Sequence, residues 1–269
     1  MEILLRHIKK LFIVTMLLVS TYSYSADISS TSSNIKIEFV STNGESTSKE
    51  STVDIGNEKD NIYQLYKDLI GTQSGKATLT ITKVIPGEDQ LLEFIEEHSV
   101  VNGLKDGRAK VYFHDFLRKE IDYLEGVKHG AEIEYWSPGH PQHKAKWKNG
   151  VLQGYRRYYY IHGQIACELP YQKGKLDGAA TFWGSDGAIL ATGAYSDGRP
   201  ENGSFVSNVN IFIRRAMSGP DLYFPADFLE VDKYENGNKY TSFKLSNDRT
   251  DSEINAFGLA LKKFQPLLQ

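Results

Sequence analysis

The chain has 269 residues, 31 basic and 34 acidic side chains, a formal net charge of −3 and one cysteine. That balance excludes an overall basic footprint for nucleic acid, and a single cysteine excludes an intramolecular disulfide and any multi-cysteine metal site. The charge is uneven, with 6 basic and 13 acidic residues in 26–102 against 14 and 12 in 103–203, and the acidic stretch reads as a solvated face.

At the N-terminus, Arg6, Lys9 and Lys10 precede an apolar run over 11–19, and Ser23-Tyr24-Ser25 gives a small-x-small site ahead of Ala26. This pattern predicts a secretory signal peptide over 1–25, cleaved after Ser25, with Ala26 as the next candidate. The competing reading, an uncleaved anchor, is disfavoured because the apolar run falls short of the ~20 residues that a spanning helix needs. The chain is therefore expected to be periplasmic or secreted. The only cysteine, Cys167, lies far downstream, so no lipoprotein cysteine follows the signal.

Residues 26–60, rich in Ser, Thr and Glu, read as a flexible leader with one possible strand at 35–40, where apolar and polar residues alternate. Residues 61–102 read as a small α/β cap. Asn61 is a plausible helix N-cap, Ile62, Leu65, Tyr66, Leu69 and Ile70 form one face, and Gly71 is the stop. A strand over 77–85 and a second helix over 88–98 complete it, and its expected role is to hide the first edge of the sheet built by residues 103–203.

Between 103 and 203 the chain repeats with a period of 24 residues. The unit is an aromatic, two residues, Gly, a short spacer and Gly, as in Tyr123-Leu124-Glu125-Gly126-Val127-Lys128-His129-Gly130. Further copies run over 147–154, 171–178 and 195–203, the last with one extra residue. The fifth residue after each closing glycine is again aromatic (Tyr112, Tyr135, Tyr159, Trp183), and turn pairs such as Pro138-Gly139, His162-Gly163 and Asp186-Gly187 lie between. Each unit thus reads as strand, tight turn, strand, tight turn, and a fixed period of this length signals a stacked array. The fold expected is mainly β: an elongated antiparallel sheet of stacked hairpins with a cap at each end.

After Gly203 the register decays. A strand is predicted over 209–215, a turn over 218–220, and extended or irregular chain over 223–231. Tyr234-Glu235-Asn236-Gly237 reads as a decayed fifth unit, and a helix capped by Ser252, with Ile254, Phe257, Leu261 and Phe264 on one face, ends before Pro266. Residues 204–269 are the expected second cap.

Alternation within strands assigns Tyr112, Tyr135, Tyr159 and Trp183 to a structural aromatic ladder, with Tyr123, Trp147, Tyr171 and Tyr195 as a second column. The face opposite the ladder is expected to carry Glu132, Glu134 and Trp136, then Lys144, Lys146 and Lys148, then Arg156, Tyr158 and Tyr160. Aromatics beside arginine are common interface anchors, so Glu134, Trp136, Lys146, Lys148, Arg156, Tyr158 and Tyr160 are the candidate partner-binding residues, with burial under a cap as the competing reading. Chemistry is thin. No Ser-His-Asp order, nucleophile elbow, phosphate loop or His-Glu-x-x-His motif appears. His140 and His143 lack further ligands nearby, Glu132 and Glu134 read as solvent-facing charge balance, and Cys167 reads as the buried interior of a strand. No catalysis, cofactor or metal is expected.

The repeat resembles MORN-type repeats, and more closely their bacterial variant in YwqK-type antitoxin-family proteins. The residues that carry it are Trp147-Lys148-Asn149-Gly150-Val151-Leu152-Gln153-Gly154, Tyr171-Gln172-Lys173-Gly174-Lys175-Leu176-Asp177-Gly178 and Tyr159-Tyr160-Ile161-His162-Gly163. The resemblance covers residues 103–203. It implies an array of hairpins and, with the export signal, an immunity or antitoxin-like protein that binds and occludes a toxin or effector. The alternative is an envelope scaffold that binds membrane lipid or cell-wall glycan.

Overall fold

A computed structural model of the chain describes residues 32–54, 58–84, 91–216 and 229–245. The expected signal peptide, the turn at 218–220, residues 223–228 of the expected extended stretch and the terminal helix lie outside the described residues. The described residues are mainly β, with 18 strands among them in open antiparallel sheet that is not closed into a barrel, as the repeat predicts. Contacts divide the chain into two compact units, residues 1–132 and 133–269.

The first unit contains β1 (Ser32–Ser41), β2 (Ser46–Asp54), α1 (Glu58–Ile70), β3 (Gly75–Val84), β4 (Leu91–Val101), β5 (Leu104–Lys105), β6 (Gly107–Phe113) and β7 (Phe116–Leu124). β1 pairs with both β2 and β3, β3 with β4, β4 with β5 and β6, and β6 with β7, all antiparallel. Ile62, Tyr66 and Ile70 of α1 pack on Ile35, Ile37, Phe39, Leu79 and Ile81. Each such side chain contributes roughly 1.5–3 kcal/mol on burial. Gly71, at φ 56°, ends α1 by donating its N–H to the Lys67 carbonyl at 3.0 Å, the left-handed stop expected of it.

Two expectations fail here. Residues 46–54, read as flexible, form β2, whose Ser, Thr, Lys and Glu residues suit the outer strand of this pairing, because polar side chains discourage further association. The second predicted helix is instead β4, in which Glu96, His98 and Val100 alternate into the interior. Inward polar residues hid that period. Lys105 Nζ pairs with the Glu96 carboxylate, His98 Nδ1 lies 3.3 Å from it, and the Tyr66 hydroxyl is 3.2 Å from His98 Nε2. Burial, reinforced by Lys105, holds the imidazole below its ordinary value. Burial alone would raise the Glu96 carboxyl, but Lys105 and His98 more than reverse this and hold it low.

β8 (Val127–Ser137) begins in the first unit and ends in the second. The second unit continues with β9 (His140–Lys148), β10 (Val151–Leu152), β11 (Gly154–Tyr159), β12 (Ile165–Gln172), β13 (Lys175–Leu176), β14 (Gly178–Trp183), β15 (Ile189–Ser196) and β16 (Arg199–Val206). Then come α2 (Val209–Ala216), β17 (Leu229–Glu235) and β18 (Asn238–Leu245). Cys167, Leu169, Phe182, Ala191, Tyr195 and Phe205 share one buried face with Phe212 of α2, and Phe182 meets Phe212 edge-on with ring centroids 5.6 Å apart. Residues 209–215, expected as a strand, are therefore helical. Val209, Phe212 and Ile213 all pack on the core, a spacing that a helix satisfies and a strand does not. The decayed fifth unit is a complete hairpin, since β17 pairs with β16 and β18.

One turn recurs through both units. Asn102-Gly103, Glu125-Gly126, Asn149-Gly150, Lys173-Gly174, Asp197-Gly198 and Asn236-Gly237 all have φ near +50° and then near +80°, as type I′ hairpins require. The turn glycine returns its N–H to the preceding repeat: Gly126 to the Lys105 carbonyl at 2.8 Å, Gly174 to Leu152 at 2.9 Å and Gly198 to Leu176 at 2.7 Å. The residue before the closing glycine accepts from the next turn's first N–H, as Asp106 does from Glu125 and Gln153 from Lys173, both at 3.1 Å.

Two outcomes are expected. A Cβ on Gly193 would meet the Phe205 ring and lie 2.8 Å from the Asn202 carbonyl oxygen, so Gly193→Ala should lower stability by about 1–3 kcal/mol in urea unfolding. Because His98 binds its proton less readily folded than unfolded, stability should fall as pH drops through about 6.5. His98→Gln, which retains a donor and an acceptor, should flatten the urea-measured slope between about pH 7 and 5.

Candidate partner-binding face

A two-residue hairpin pairs residues three apart in sequence, such as Lys148 with Val151. Even-numbered residues of one strand therefore face the same way as odd-numbered residues of the next. Register confirms this, with Arg157 opposite Lys144, Tyr158 opposite both His143 and Cys167, and Arg156 opposite Leu169. The seven expected site residues thus do not share one face. Arg156, Tyr158, Tyr160, Glu134 and Trp136 belong to the face that holds the core and α2. Lys146 and Lys148 point to the other side and are exposed.

The inner set is occupied by packing. Tyr158 is only 7 % exposed, with the Arg156 guanidinium 5.0 Å from its ring centre. The Tyr160 hydroxyl donates to the Trp183 carbonyl at 2.9 Å, and Trp136 Nε1 donates to the Tyr159 carbonyl at 3.2 Å, so both join one repeat to the next. Burial pushes the Tyr160 hydroxyl up to about 12. Glu134 lies 3.7 Å from His143 Nδ1. Glu132, expected in solvent, is buried in the first unit between Lys119 and Lys128, each 2.7 Å away. Removing one member of such a buried pair costs several kcal/mol.

The opposite face is the accessible one. β9 contributes Lys144, Lys146 and Lys148, and β11 contributes Tyr155, Arg157 and Tyr159. Arg157 pairs with Glu168 of β12 and lies 5.5 Å from the Tyr155 ring centre, while Lys144 Nζ is 5.7 Å from that of Tyr159. Tyr155 is 43 % exposed. Next to them, Tyr159 pairs with Ile165 and Trp183 with Ile189, forming a partly exposed apolar row. Toward β15 the same face turns small and neutral, with Ala179 opposite Ala194 and Thr181 opposite Thr192. The ladder expected to be structural is therefore the more open aromatic column. The sequence carried the signal for this, because the change of parity across each two-residue turn follows from the Asn149-Gly150 and Lys173-Gly174 pairs.

Other candidate groups are not arranged for chemistry. Burial pushes the Cys167 thiol far up, leaving it protonated and inert as a nucleophile. His143 is buried on the inner side, whereas His140 is exposed with its ring 3.2 Å from the Pro138 carbonyl. Among the described residues no three His, Cys, Asp or Glu side chains gather closely enough to hold a metal.

No protein-family model and no curated protein matches the chain. The resemblance to MORN-type repeats thus rests on the repeated residues and their spacing. If the inner face is the structural one, Tyr158→Ala should cost about 3 kcal/mol in urea unfolding, and Tyr155→Ala should change stability by no more than about 0.5 kcal/mol. The reverse ranking would show the faces to be misassigned.

Proposed function

We propose that this chain is an exported, non-catalytic binding protein of the immunity or antitoxin type, which docks a toxic protein or effector on its sheet and blocks it by occlusion. The observation that carries this reading is the open sheet face of the second unit, where tyrosines and cations stand partly or fully exposed on a backbone held by repeated turn contacts. Rigid aromatic groups on a pre-organised surface bind with little ordering cost. The repeat resemblance supplies the antitoxin class, and the leader pattern over 1–25 supplies export to the periplasm or beyond. The chain needs no cofactor for this role, and its partner is a protein rather than nucleic acid.

A second reading has its own support. The row Lys144, Lys146 and Lys148, exposed on one strand, also suits an envelope scaffold that holds anionic lipid or cell-wall glycan, with affinity that falls as salt rises.

The test is periplasmic co-expression with the product of the neighbouring gene. A neighbour that is toxic alone, harmless beside this chain, and co-eluting with it as a stoichiometric complex is the expected result. A neighbour without toxicity, together with stoichiometric retention of the chain on wall or lipid, would replace this reading with the scaffold.

A further inference from the structure

We infer that the outer face of β9, β11 and β12 is the docking site and that its occupant is an acidic protein surface; this rests on the binding-protein reading and names the partner's chemistry. The first argument is charge. Lys144, Lys146, Lys148 and Arg157 lie on this face, and Glu168 is the one carboxylate that these three strands place among them. Glu168 is already held by Arg157. No carboxylate of the described residues lies within ion-pair range of the three lysines, so this part of the sheet presents uncompensated positive charge to a partner. A complementary negative surface would be steered to it and held in register.

The second argument separates a protein from a phosphate-rich partner. Glu168 sits opposite Arg157 on one side and Thr181 on the other, at the border of the cations. The site therefore mixes free cations with an Arg157–Glu168 pair, and a protein surface can set a donor against Glu168 and carboxylates against the lysines, a mixed pattern that a uniform array of phosphates does not match. Beyond Glu168 the face becomes small and neutral at Ala179, Thr181, Thr192 and Ala194, which lets a folded partner approach the sheet closely but offers a lipid headgroup or polyphosphate nothing to bind. Tyr155 and Tyr159 flank the cations and can serve as low-entropy anchors.

The probe is poly-L-glutamate, titrated into the full chain as exported and compared with phosphatidylglycerol vesicles and inorganic polyphosphate at equal charge. Poly-L-glutamate is expected to bind more tightly than either. Lys144→Glu with Lys146→Glu should weaken it by about tenfold or more at unchanged melting temperature. Tyr155→Ala should weaken it at unchanged charge, and Lys239→Glu, on β18, should leave it unaltered. Equal loss with Lys239→Glu, tighter binding of vesicles or polyphosphate, or no binding of poly-L-glutamate would each overturn the inference. The binding-protein reading fails separately. Should the Lys144→Glu, Lys146→Glu chain still neutralise a toxic neighbour as well as wild type, the inference falls and the immunity role stands. Should poly-L-glutamate binding follow the variants while no toxic neighbour exists, the acidic-protein site stands and the immunity role falls.

Discussion

The contact on which this structure depends is the backbone amide of the left-handed turn glycine, returned to a carbonyl of the preceding repeat. The strand ladders join neighbouring hairpins at their middles, and this bond joins them at their turns, where an isolated hairpin would be marginal in water. With it, a turn is fastened to the one before, and the side chain ahead of the closing glycine takes up the remaining turn N–H. Ahead of Gly107, Gly154, Gly178 and Gly203 that position is Asp106, Gln153, Asp177 and Asn202, each an acceptor, and the last receives the Asn236 N–H at 2.9 Å. The 24-residue period is thus a hydrogen-bond requirement as much as a hydrophobic one, because an insertion within a unit would move the acceptor away from the amide it serves. Where residues are inserted, between β16 and β17, they include α2, and the next hairpin resumes the same turn geometry at Asn236-Gly237.

A sheet built this way has two faces with different duties. In the second unit the inner face closes over Phe182, Leu169 and Tyr195 under α2. In the first unit it tolerates charge, since Glu96 with Lys105 and Glu132 with its two lysines are buried. Such pairs add little net stability but are costly to break, and they impose a single strand register, because a slip by one residue would bring every buried charge out and every solvated one in. The aromatic residues on the inner face spend their polar groups on neighbouring repeats. The outer face leaves Tyr155 and the β9 lysines exposed. Exposed side chains of the outer face can therefore change without disturbing the core.

Much of the architecture was legible in the amino-acid sequence. The repeat, its glycine turns, the helix ending at Gly71 and the buried position of Cys167 all follow from short-range requirements: a positive φ needs glycine or a tolerant residue such as Asn or Asp, and an amphipathic stripe needs a core. The alternation of faces was legible too, up to its sign. Nothing in Tyr155 to Tyr160 alone says which parity is buried, because both sets are aromatic and basic.

Tertiary structure decided the rest. Residues 91–101 became a strand because Lys105, just beyond the next turn, neutralises Glu96 and the Tyr66 hydroxyl, on α1, meets His98 Nε2 in the interior, pairings invisible to any local period. Residues 209–216 became a helix because Phe182 and its neighbours offered a surface that Val209, Phe212 and Ile213 could cover together. Once α2 covered one side of the sheet, Tyr158 and Tyr160 became core and Tyr155, Arg157 and the β9 lysines became surface. Periodicity is set within a strand and its turns, so sequence determined that there are two faces; burial is set by what packs across the sheet, so only the folded chain determined which face is core and which is exposed.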